Sequence, residues 1–287
     1  MSKVDLHLHT TASDGRHTPA ELVRLAASKG LEYIAVTDHD TIDGIAPALA
    51  ESARFAGLHV IPGVELSTDV PKGEVHLLGY FVDYDDVQFR SQLEDMRNSR
   101  VNRARGMVEK LAGLGVQIEW ERVKEIAGSG AMGRPHIAQA MLEKGYIKTT
   151  QDAFRSYIGH GGPAYVERDK LTPAEAVKLV LKAGGLPVLA HPLTSGDAEG
   201  TIKELKAVGL VGMEVYYASH SVEQVAMLAG LANKYFLIAT GGTDYHGIDL
   251  MAETMVGGTD VPLLAIRELL RIAHSRGLQK AKALGDI

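Results

Sequence analysis

Lys3-Val4-Asp5-Leu6-His7-Leu8-His9-Thr10 opens the chain as an apolar strand carrying two histidines. Side chains alternate along a strand, so His7 and His9 share one face while Val4, Leu6 and Leu8 take the other. Two imidazoles side by side at the end of a buried strand are costly unless something binds them, and a divalent cation is the usual partner. Far along the chain, Asp244-Tyr245-His246 supplies the same chemistry at the exit of another apolar run.

Between these ends the sequence alternates strands and helices. Thr18-Pro19-Ala20-Glu21 reads as a helix start, with Thr as N-cap, Pro in the first turn and Glu three residues after the cap. Thr172-Pro173-Ala174-Glu175 repeats it. Strands are expected at 3–10, 33–37, 59–66, 75–81, 186–190, 212–217 and 236–240. From about 88 to 158 the periodicity is helical throughout. This predicts an α/β barrel domain over 1–87 and 165–287, interrupted by a helical insertion over 88–164. Strand–helix alternation implies a parallel sheet, and the number of units points to a barrel rather than an open sheet.

The chain has 287 residues, a net charge of −6 and no cysteine. No global basic field advertises nucleic acid. Disulfides, thiolate ligands and a cysteine nucleophile are excluded, so any metal must sit on N and O donors. No apolar run is long enough to span a bilayer, and no basic-then-apolar leader precedes the first strand. A cytoplasmic protein without an obligate protein partner is expected.

The metal-competent residues lie at strand ends. His7, His9, Glu65, His191, Asp244, His246 and the pair Asp38-His39 all fall at or just past predicted strands; His76 lies within one, and Asp14 in the loop after the first. In a parallel barrel these ends share the face where active sites form. A lone strand-end histidine is usually a satisfied polar residue, and His17, His59, His220 and His274 are read that way. Asp38 and Asp40 either orient His39 or cap a helix or turn. Gly241-Gly242 is expected to let the backbone turn after the last strand.

The set His7-Leu8-His9, Thr37-Asp38-His39-Asp40, Pro62-Gly63-Val64-Glu65, His76, Ala190-His191-Pro192 and Thr243-Asp244-Tyr245-His246 resembles the PHP (polymerase and histidinol phosphatase) family. That family is built on a distorted seven-stranded barrel related to the amidohydrolases. The resemblance implies two or three divalent cations, manganese foremost, with iron, zinc or magnesium as alternatives. It implies His7, His9, Glu65 and Asp244 for the first; a bridging Glu65 with His76 and His191 for the second; and Asp14, His39 and His246 for the third. These nine are also the expected catalytic residues.

The insertion, with Gly133-Arg134-Pro135-His136, resembles the subgroup that acts on 3′,5′-nucleoside bisphosphates and RNA ends. Arg134 and His160 are its candidate substrate contacts, beside Asp14 and His246 in the barrel; the alternative for the first two is an exposed surface role. His136 is read as structural, and Arg97, Arg100, Arg103 and Arg105 as an ion-paired helix face rather than an RNA track.

The implied activity is a metal-dependent phosphomonoesterase. It removes the 3′-phosphate of a small bisphosphonucleotide and also shortens single-stranded RNA from its 5′ end. Competing readings are a phosphatase of another metabolite such as histidinol phosphate, an amidohydrolase-type C–N or C–O hydrolase, and a metal-stabilised binding module. The amidohydrolase reading expects a carboxylated lysine where Glu65 stands, and the binding module expects a degenerate ligand set.

Overall fold

The computed structural model describes residues 2–68, 70, 75–128, 132–167, 171–248 and 254–284. Seven strands form one sheet in chain order: β1 (Val4–Leu8), β2 (Tyr33–Val36), β3 (His59–Ser67), β4 (His76–Tyr80), β5 (Leu186–Leu189), β6 (Gly212–Tyr217) and β7 (Ile238–Gly242). Past β7, Tyr245 bridges Leu8 in parallel, and its carbonyl accepts from His9 N at 3.0 Å. The last strand therefore returns to the first, and the expected distorted barrel is nearly closed.

Among the described residues the α-helices are α1 (Pro19–Ser28), α2 (Ile45–Ser52), α3 (Val87–Gly113), α4 (Trp120–Ala127), α5 (Arg134–Glu143), α6 (Thr150–Ala153), α7 (Pro173–Lys182), α8 (Ala198–Ala207), α9 (Val222–Lys234) and α10 (Leu263–Ser275). None is long and apolar enough to cross a membrane. The two repeated helix starts are complete capping boxes. Thr18 Oγ1 accepts from Glu21 N at 3.3 Å while Glu21 Oε2 accepts from Thr18 N at 2.9 Å, and Thr172 and Glu175 do the same at 3.3 and 2.8 Å.

The chain forms two compact units, Met1–Ser91 with Lys170–Ile287, and Gln92–Asp169. In the first, alternate strand residues face two cores. Ile34, Val36 and Val60 pack on Leu22, Val23 and Ala26 of α1 and Ala48 of α2. Tyr33, Ala35, Ile61, Leu78 and Val188 face the other way, with Ile266 and Leu269 of α10. The helical unit has its own core, built on Met107 and Leu111 of α3, Val123 of α4, and Ile137 and Met141 of α5.

Two expectations need correction. The sheet is not all parallel: β4 runs antiparallel to both β3 and β5. Only residues 68–75 join β3 to β4, too few for a parallel crossover, so the chain folds back as a hairpin. Nor do Val4, Leu6 and Leu8 share one face: Val4 and Leu6 join one core and Leu8 the other. The register of β1 against β2 slips between Asp5 and Leu8, and such a bulge re-aims the side chains beyond it.

Candidate metal centre

Reversal of β4 matters for the site. Its first residue, His76, pairs with Ser67 at the end of β3 and so stands at the same barrel mouth as the exits of the parallel strands. There it meets His7 on β1, His9 just past it, Asp14 in the loop that follows, His39 after β2, Glu65 on β3, His191 after β5, and Asp244 and His246 after β7.

Glu65 is the hub. Its Oε2 lies 3.1 Å from His7 Nε2, 3.2 Å from His9 Nε2 and 3.1 Å from His39 Nδ1. Its Oε1 lies 2.9 Å from His76 Nδ1 and 3.1 Å from His191 Nε2. Asp244 Oδ1 stands 3.0 Å from His9 Nε2 and 3.3 Å from His7 Nε2. Asp14 Oδ1 stands 3.4 Å from His246 Nε2 and 3.8 Å from His9 Nδ1, and its Oδ2 3.8 Å from His39 Nε2.

These atoms crowd together without pairing off. His9 Nε2, Asp14 Oδ1, His39 Nδ1 and Asp244 Oδ1 are buried and make no hydrogen bond. An unsatisfied buried polar group costs roughly 1–3 kcal/mol, and clustered ones call for a ligand. Three groups bring their donor atoms within 4.8 Å of one another: His7, His9, Glu65 and Asp244; His39, Glu65 and His76; and His9, Asp14, His39 and His246. All donors are imidazole or carboxylate, a set that suits manganese, iron, zinc or magnesium. The residues therefore fit a cluster of divalent cations. His191 falls outside these groups, although its Nε2 reaches Glu65 Oε1.

The electrostatics point the same way. Burial opposes charge on His9, yet Asp244 and Glu65 offset it and raise its pKa to about 10. Burial likewise opposes charge on His7, and Glu214, Asp244 and Glu65 overcome it. Burial dominates at His39 and pushes it down to about 4. Although burial favours their neutral forms, Glu65 and Asp244 are held well below the usual carboxylate range by the surrounding imidazoles. A site so rich in negative charge takes up either protons or cations, and cation binding displaces the protons.

The loops are held by polar clamps. Asp38 accepts from Thr10 N at 2.7 Å and from Ser13 Oγ and Thr10 Oγ1 at 2.8 Å. It thus fixes the loop that carries Asp14. Asp40 accepts from Ser67 N at 2.9 Å and ties the end of β3. Neither caps α2, whose N-cap is Gly44. Gly241 and Gly242 end β7 rather than turn after it; the left-handed residue is Asp244, at φ 53°. A Cβ on Gly242 would sit 2.5 Å from His7 N, so glycine permits the close approach of β7 to β1.

Three residues that hold the ligands escaped the sequence reading. Asp5 is buried and accepts from Thr243 N and Oγ1 at 3.0 and 2.7 Å and from Gly257 N at 2.9 Å. Glu214 Oε1 is 3.0 Å from His7 Nδ1. Tyr217 Oη donates to Asp244 Oδ2 at 2.7 Å. A signal existed for two of them: Asp5 leads the histidine strand, and Glu214 is a lone carboxylate in an apolar run.

The histidines read as ordinary have structural partners. His17 Nε2 is 3.1 Å from Tyr245 Oη, and His59 stacks on Tyr33 at 5.0 Å. His220 and His274 donate to backbone carbonyls at 3.1 and 3.2 Å. His136 Nδ1 accepts from Gly133 N at 3.0 Å and closes the start of α5.

Arg134 and His160 both belong to the helical unit. Arg134 opens α5 with its guanidinium 5.4 Å from the Phe154 ring, and His160 lies 5.1 Å from the Tyr165 ring. Of the α3 arginines, Arg103 donates to Val166 O at 2.8 Å, and Arg105 sits over Trp120 at 5.3 Å.

The PHP domain matches residues 5–167 of the chain. The chain is similar to the 3′,5′-nucleoside bisphosphate phosphatase of Chromobacterium violaceum, 32% identical over 86% of this chain and 88% of that one. It is 35% identical to the 5′-3′ exoribonuclease Rnm of Escherichia coli, over 84% of each chain. A solved structure from Bifidobacterium adolescentis, assigned as a metal-dependent phosphoesterase, superposes with a TM-score of 0.79 at 30% identity, covering 96% of both chains.

Proposed function

The chain belongs to the PHP domain family and is a metal-dependent phosphoric ester hydrolase; on that premise we propose that it removes the 3′-phosphate from 3′,5′-bisphosphonucleotides and leaves a nucleoside 5′-monophosphate. One observation carries the reading: the imidazoles and carboxylates of nine residues meet at one barrel mouth, with four buried ligand atoms left unsatisfied. The bisphosphatase and exoribonuclease similarities supply the substrate class.

We assign His7, His9, Glu65 and Asp244 to a first cation, Glu65, His76 and His191 to a second, and Asp14, His39 and His246 to a third, manganese being the preferred ion. His9 and His39 stand within reach of more than one of these groups. Bound divalent cations supply Lewis acidity, which acidifies water near neutral pH and neutralises phosphoryl charge. The residues of the chain do the rest. Glu65 and Asp244 concentrate negative charge that draws cations in, and the imidazoles fix the geometry. Asp14 and His246, the two most exposed of the nine, are assigned to substrate as well. Arg134 and His160 are the proposed substrate contacts of the helical unit, a guanidinium being suited to bidentate phosphate binding.

Short single-stranded RNA is the second substrate class, read from its 5′ end, and the cytoplasm is the compartment we assign. The experiment is phosphate release across a panel of bisphosphonucleotides, histidinol phosphate, lactones and cyclic amides with Mn²⁺ present. Release from 3′,5′-bisphosphonucleotides above a His7→Ala control is the expected result. Turnover confined to histidinol phosphate or to C–N and C–O substrates would replace this reading with one of its competitors.

A further inference from the structure

We propose that β6 is the orienting strand of the metal centre, with Glu214 and Tyr217 as positioning residues that set which atoms of His7 and Asp244 face the cations. The proposal rests on the metal reading above and concerns residues that supply no ligand themselves.

Among the described residues, β6 is the one strand that places none of the nine metal-competent side chains at the mouth. It carries instead a fully buried glutamate in the run Gly212-Met213-Glu214-Val215. Burying a carboxylate is expensive unless its oxygens are bonded. Both are: Oε1 lies 3.0 Å from His7 Nδ1, and Oε2 accepts from His191 N at 2.8 Å. Three residues on, Tyr217 Oη donates to Asp244 Oδ2 at 2.7 Å.

Residues three apart on a regular strand point to opposite faces. Here they reach the same cluster because β6 is bulged. Glu214 pairs with Thr240 and Tyr216 with Gly241, so β6 spends two residues against one of β7. That extra residue flips the alternation and brings Tyr217 round to Asp244.

The chemistry follows from the donor count. A neutral imidazole has one N–H and one lone pair, and its partner decides which nitrogen carries the proton. With Glu214 accepting from Nδ1–H, the Nε2 lone pair of His7 faces Glu65 and Asp244, where a cation is expected. The other Glu214 oxygen holds the backbone of His191, which sits at the strained φ of 26°. At Asp244, the Tyr217 hydroxyl occupies Oδ2 and leaves Oδ1 as the single ligating oxygen.

The test uses the full chain, stripped of metal and titrated with Mn²⁺, with free ion counted by electron paramagnetic resonance. The imidazole ¹⁵N shifts of the Mg²⁺-loaded protein report the His7 tautomer. A glutamine at 214 has one acceptor oxygen and cannot serve both His7 Nδ1–H and His191 N–H. Glu214→Gln is therefore expected to weaken Mn²⁺ binding by about 10–100-fold and to change the His7 signature. Tyr217→Phe, which removes only a hydroxyl, is expected to weaken binding by about 10-fold with the tautomer unchanged, and it carries the test if Glu214→Gln fails to fold. Wild-type Mn²⁺ affinity in Tyr217→Phe and in any folded Glu214→Gln would overturn the proposal. A wild-type protein that binds no Mn²⁺ would overturn the metal reading instead.

Discussion

Replacing Glu65 with glutamine perturbs the centre at its hub. The side chain is 1% exposed, and five imidazole nitrogens lie 2.9–3.2 Å from its two oxygens. Glutamine keeps one oxygen, which can face either His76 and His191 or His7, His9 and His39. The amide nitrogen then points donors at the other set, and that subsite is lost. For the remaining one, loss of a directly ligating charge should reach at least the upper end of the 10–100-fold range seen for outer contacts, about 2.7 kcal/mol. Elemental analysis after dialysis should find the metal content lowered, and phosphate release should fall by at least about 100-fold.

The metal-free protein gives a second reading. Removing one partner of a buried charge cluster costs about 3 kcal/mol, or a melting temperature lower by roughly 6–12 °C. Glu65, held below its ordinary 4.5, contributes stability above that pH; His9, raised from 6.5 to about 10, contributes below 6.5 and loses its share as the pH rises towards 10. The gap between wild type and Glu65→Gln should therefore be widest between pH 4.5 and 6.5 and narrow towards pH 10. A variant that keeps its metal and its activity, with no pH-dependent gap, would show that Glu65 is not the hub of the centre.

Gly242→Ala should cost about 1–3 kcal/mol and lower metal content, because its Cβ would stand 2.5 Å from His7 N; thermal melts with elemental analysis check this, and an unchanged protein would contradict it. Asp38→Asn should lower stability by about 1–3 kcal/mol, since one amide oxygen cannot accept all three bonds from Thr10 and Ser13; denaturant titration reads the loss. Arg134→Ala should raise KM for a bisphosphonucleotide by about 10-fold or more, with kcat changed far less, if its guanidinium binds the second phosphate; steady-state kinetics with bisphosphate and monophosphate substrates separate the two. Mn²⁺ binding near pH 7 should release protons, because His7 and His9 are held protonated by their carboxylates; calorimetry in buffers of different ionisation enthalpy measures this, and no buffer dependence would count against it.

Much of the fold was legible because its signals are local. Capping boxes at Thr18 and Thr172 mark helix starts whatever surrounds them, and the apolar runs at Tyr33 and Leu186 mark strands. The metal-competent residues were legible because strand ends in a barrel share a mouth. Strand direction was harder. Alternation suggested a parallel sheet, and only the short 68–75 link signalled that β4 turns back. Bulges in β1 and β6 leave no mark in the sequence, since they arise from how one strand pairs with the next. For the same reason Tyr217, three residues from Glu214, did not read as its companion. Gly242 read as a turn because glycine's freedom is familiar there, whereas the real demand is the proximity of a strand that starts the chain.

Anomalous scattering from crystals grown with Mn²⁺ would locate the cations themselves. At least two peaks are expected at the barrel mouth, one bounded by His7, His9, Glu65 and Asp244 and another sharing Glu65 with His76 and His191. A map with no peak at that mouth, in protein that still releases phosphate, would contradict the metal reading.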